Sequence, residues 1–60
     1  MGTNLSAALS RIDSARNSLS QIEGYKREGN KEQAKMHLNL ALSWLKEAES
    51  FIKKLNKELK

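Results

Sequence analysis

From Leu5 onward the apolar residues fall at Leu5, Ala8, Ile12, Ala15, Leu19 and Ile22, in alternating steps of three and four. Beyond residue 30 the pattern resumes at Ala34, Leu38, Ala41, Leu45, Ala48, Ile52, Leu55 and Leu59, again in fours and threes. A strand would alternate in twos, whereas this spacing keeps one face of a helix apolar over many turns. Two segments on one template predict two amphipathic helices packed along their length. In each segment Leu or Ile alternates with a residue that is mostly Ala. Small residues at every second layer let two backbones approach, and the branched residues fill the space between layers. On this reading Leu5, Ile12, Leu19, Ile22, Leu38, Leu45, Ile52 and Leu55 form a seam within the chain.

The interruption is the stretch REGNKEQA, residues 27–34. Gly29 suits the left-handed position that ends a helix, and Lys26 and Arg27 before it suit the negative end of the helix dipole. Asn30 is a favoured N-cap, and Gln33, three residues on, could reach back to close a capping box. The expected elements are a helix over about 4–28, a turn at 29–30 and a second helix over about 31–59, with Gly24 tolerated inside the first. The predicted fold is an all-α, two-helix antiparallel hairpin in a single domain.

Length changes the picture. Sixty residues with no cysteine must find stability without disulfides or thiolate metal sites, and chains of this size usually need regular packing or a partner. The second helix carries a further apolar stripe, Leu40, Trp44 and Phe51, with Ala48 and Leu55 shared with the seam. Leu42 widens the other flank, and Leu9 adds to the first helix. Left in water, the Trp44 and Phe51 stripe would make a patch larger than monomers usually carry. Two hairpins face to face would cover it, so the chain is expected to form a homodimeric four-helix bundle with Leu40, Trp44, Ala48, Phe51 and Leu55 as the dimer or partner face.

Around the turn, Tyr25, the Gly29–Asn30 pair, Ala34 and Ala41 fall at the spacing of a tetratricopeptide repeat, and the region is similar to that family there. It departs at Ile22 and Leu38, has no closing proline, and its second helix is about twice too long. The common ground is the physics of a tight helix–turn–helix. In architecture the chain also resembles the Rop-type RNA-binding regulators, two-helix chains that dimerise with small residues in alternate layers. That resemblance implies a dimer and, by fold analogy, RNA as a ligand.

Composition leaves little for catalysis. One histidine and seven acidic residues, all read as off the seam, provide no pair of carboxylates forced together on an apolar face. His37 is read as a histidine at the bundle edge, since Gln33 and Ala41 at i±4 offer no second ligand. No enzyme activity and no cofactor are expected. The formal net charge of +4 gathers on the second helix, where Lys46, Lys53, Lys57 and Lys60, with Lys54 beside them, form an outward stripe able to track phosphates. Glu47, Glu49 and Glu58 lie close by, Glu49–Lys53 makes a favourable i,i+4 pair, and no aromatic within the stripe offers a stacking platform. A solvated helix face is therefore the first reading of the lysines, nucleic acid the second, and an acidic protein partner or lipid surface the third. The first helix shows Ser6, Ser10, Ser14, Asn17, Ser18, Ser20 and Gln21, with Arg11 and Arg16, as a small polar outer surface. No apolar run approaches membrane-spanning length and no signal peptide is visible, so the expected location is cytoplasmic. These features predict a small non-enzymatic interaction protein, an adaptor or inhibitor of a larger protein in a phage or bacterial setting. The alternatives are a basic RNA- or DNA-binding dimer and a purely structural oligomerisation element.

Overall fold

The computed structural model describes residues 2–60, with side chains described from Thr3 onward. Two helical arms lie antiparallel. The first is α1 (Gly2–Ser20) continued by α2 (Ile22–Glu28), and the second is α3 (Lys31–Glu58). The hairpin packs mainly through α1 against α3, with α2 closing the turn end. No strand occurs among the described residues.

The turn follows from its residues. Gly29 adopts φ 72°, ψ 18°, a conformation that costs a side-chain-bearing residue about 1–2 kcal/mol. Its N–H donates to the Lys26 carbonyl at 3.1 Å, and the Asn30 N–H donates to the Tyr25 carbonyl at 2.9 Å. These two bonds are a Schellman closure, which satisfies carbonyls the helix end leaves free. The Asn30 Oδ1 then accepts from the Gln33 N–H at 3.2 Å and caps α3. The reciprocal half of the expected capping box is not made, because the Asn30 N–H is already given to Tyr25.

The first arm is not one uninterrupted helix. At Gln21 (φ −85°, ψ −14°) the chain keeps its direction but the ladder slips. The Ser20 hydroxyl donates to the Asn17 carbonyl at 2.8 Å, the acceptor that an α-helix reserves for the Gln21 N–H. That N–H turns instead to the Ser18 carbonyl, three residues back, at 3.4 Å. A serine hydroxyl competing with the backbone is a known way to loosen a helix. Gly24 lies inside α2 and does not end it.

The packing of the seam departs from the expected one. Its buried residues are Ala8, Ala15, Ala34, Ala41 and Ala48, together with Ser18, all at most 9% exposed. Most of the branched residues assigned to the seam lie at its sides. Leu5, Leu19, Leu38, Leu45 and Ile52 remain 44–48% exposed, while Ile12, Ile22 and Leu55 are half-buried. The reason is steric. Once alanine touches alanine the backbones are too close for leucine to enter the gap, so the large side chains spread over the sides of the contact. Ser18 acts as a further small residue at this contact and is not part of an outer polar surface.

The result is a rod of 47 × 14 × 11 Å with a radius of gyration of 14.1 Å, against about 10 Å for a compact chain of this length. Its accessible surface is 4816 Å². A compact globule of 6.8 kDa exposes about 4,000 Å².

Candidate interaction surface

A helix advances 100° per residue, so each side of the alanine contact gathers particular positions of both arms. One side is fixed by direct contacts. The Arg11 Nε donates to Glu47 Oε1 at 2.7 Å, and its guanidinium lies 5.7 Å from the Trp44 ring and 5.6 Å from the Phe51 ring. Lys54 Nζ approaches the same Phe51 from outside, at 5.2 Å. Towards the open end Asn4 hydrogen-bonds Glu58. Towards the turn the Tyr25 and His37 rings stand 5.0 Å apart at 44°, and His37 Nδ1–H donates to the Gln33 carbonyl at 3.0 Å. This is a mixed aromatic and polar face.

Trp44 and Phe51 were expected to stand largely in water in a lone hairpin, yet both are half-buried. The Arg11 guanidinium lies over both rings, which are two turns apart on α3. Arg11 was grouped with the outer polar residues of the first helix, but it faces inward over the aromatic stripe. Of the expected dimer-face residues, Ala48 is 2% exposed and lies within the chain's own seam. Leu55 is half-buried and Leu40 is 46% exposed at the outer margin of the aromatic face.

The opposite side is mainly aliphatic, with the exposed charges Arg16 and Glu49 standing among its outer residues. Leu5, Ile12 and Leu19 of α1 share it with Leu38, Leu45 and Ile52 of α3. The antiparallel register set by Arg11 opposite Glu47 brings them level as Leu5 with Ile52, Ile12 with Leu45, and Leu19 with Leu38. Leu9 and Leu42, 54% and 57% exposed, extend the face outward. Leucine and isoleucine at seven-residue spacing were visible in the sequence. Which side of an alanine contact they would occupy was not, because that depends on how closely the arms approach.

The lysines divide. Lys46, Lys53 and Lys57 are exposed on one outer stripe of α3 and Lys60 is exposed just beyond its end, whereas Lys54 leans to the aromatic side. Lys53 is paired with Glu49 at 3.2 Å, the i,i+4 pair expected from spacing. Among the described residues no three potential metal ligands come together, and no helix is long and apolar enough to cross a membrane. Small hollows exist at the turn, lined by Tyr25, Gly29 and Ala34 among others, and at the open end around Ile52, Leu55 and Leu59.

No family model, curated protein or solved structure matches this chain.

Proposed function

We propose that this chain is a non-enzymatic protein–protein interaction module that pairs with a second copy of itself and acts on a larger protein as an adaptor or inhibitor. The observation that carries this reading is the core: among the described residues alanine and one serine are buried, and no large side chain is fully enclosed. Burying the exposed half of a Leu or Ile contributes on the order of 1 kcal/mol, and a hairpin of this kind withholds that contribution at most of its large residues. The surface beyond that of a compact globule, about 800 Å², is the area each partner buries in a standard interface. A pair of hairpins removes that surplus and leaves each protomer's aromatic and polar face for a foreign partner. A phage or bacterial, cytoplasmic setting fits a small inhibitor of this kind.

Nucleic acid is the second reading, and the exposed stripe of Lys46, Lys53 and Lys57 is its support. The pairing of Lys53 with Glu49 weakens it, since a lysine already neutralised releases less counterion on meeting a phosphate. Sedimentation equilibrium tests the self-pairing, with a mass twice that of the chain as the expected result. Affinity capture from lysate with and without nuclease tests the target class. A protein retained after digestion supports the interaction module. Nucleic acid in the untreated eluate, lost when Lys46, Lys53 and Lys57 are together changed to Gln, would transfer the function to the lysine stripe.

A further inference from the structure

The geometry points to the aliphatic face, and not the aromatic one, as the surface through which two copies of this chain join, with α1 of one hairpin lying against α3 of the other. This rests on the self-pairing proposed above and assigns it a face and an arrangement.

Three observations lead there. The aliphatic face presents a Leu or Ile from each arm at three successive levels, Leu5–Ile52, Ile12–Leu45 and Leu19–Leu38, with five of the six at 44–48% exposure. A second copy turned by a two-fold axis supplies the same three levels, so every layer becomes four aliphatic side chains from four helices, the packing of a bundle core. The aromatic face, by contrast, is already partly covered by the chain itself. A second copy there would enclose the Arg11–Glu47 pair that lies over the rings, whereas on the aliphatic side Glu49 already pairs outward with Lys53 and the exposed Arg16 can carry its charge past the edge to water.

The rim then selects the arrangement. Asp13 follows Ile12 and Lys46 follows Leu45, so each stands 100° further outward at the middle level, on opposite edges of the face. Both are exposed. With the two-fold axis parallel to the helices, Asp13 meets the partner's Lys46 on each edge and both turns lie at one end. With the axis crossing the helices, Asp13 meets the partner's Asp13 and Lys46 meets the partner's Lys46. Like charges facing each other disfavour the second arrangement.

Matched substitutions test the face. Leu45 and Leu40 are 44% and 46% exposed on α3, but they belong to the aliphatic and aromatic sides respectively. Leu45→Glu is expected to give monomers in sedimentation equilibrium, and Leu40→Glu to leave the dimer intact. Should Leu45→Glu lose its helical circular dichroism, Leu45→Ala decides, with an expected rise in the dimer dissociation constant of at least about tenfold. A dimer that survives both changes at Leu45 and is broken by Leu40→Glu overturns the inference while leaving self-pairing standing. A wild-type chain that sediments as a monomer removes both together. Because the chain has no cysteine, a spin label at Glu28→Cys occupies a unique site near the turn. The proposed arrangement places the two labels about two helix diameters apart, roughly 20 Å. A separation near the 47 Å length of the hairpin overturns it.

Discussion

Two glycines show how a single residue's backbone decides the sign of a substitution. Gly29 sits at φ 72° and Gly24 in ordinary helix, and at neither does an added Cβ meet any atom within 4 Å. Space is therefore equal and only conformation differs. Gly29→Ala should cost about 1 kcal/mol, and Gly24→Ala should stabilise by roughly 0.5–1 kcal/mol. Urea midpoints moving in opposite directions at constant m would show it. Arg11 provides a second contrast. Its ion pair with Glu47 is partly exposed, with the two side chains 32% and 49% accessible, and such pairs contribute little. Its contacts with Trp44 and Phe51 contribute more, since they cover apolar rings. Arg11→Ala should thus destabilise clearly more than Glu47→Ala, by about 1 kcal/mol or more, as read from paired denaturation curves.

At the scale of the element, α3 behaves as its sequence implies, with a polar cap, a long heptad pattern and an i,i+4 ion pair. The first arm does not, because Ser20 draws the Asn17 carbonyl out of the helical ladder. Ser20→Ala should restore the regular bond and raise both stability, by a few tenths of a kcal/mol, and the exchange protection of the Gln21 amide. An unchanged Gln21 amide would mean that the slip has another origin. The alanine contact is the other property of these elements. Ala41→Leu forces a branched side chain between backbones that have already closed, and overpacking of this kind costs about 1–3 kcal/mol. The measured loss should exceed that of Leu42→Ala, where the side chain is 57% exposed.

For the whole molecule, the shape governs the thermodynamics. A rod whose enclosed residues are nearly all alanine buries too little for its length, so its stability should be linked to association. Thermal unfolding is then expected to move upward by several degrees for each tenfold increase in protein concentration, because mass action favours the folded pair. A melting temperature independent of concentration would assign the stability to the hairpin alone. Ionic strength should alter that concentration dependence only slightly, since the charges on the aliphatic side are exposed and screened.

The two arms, the turn and its two capping residues were legible from spacing and residue type alone, because local propensities and heptad periodicity act over a few residues and need no partner. Gly29 and Asn30 could be read this way, as could the Glu49–Lys53 pair. The sequence also marked which positions were apolar, without saying which of them would touch. Packing distance decided that. Alanine drew the arms together, excluded the leucines from the gap and divided them into an aliphatic side and an aromatic side. The antiparallel register brought Arg11 across to Trp44 and Phe51, residues more than thirty positions away along the chain. Such a contact depends on how far one helix slides along another, and only the tertiary structure fixes that.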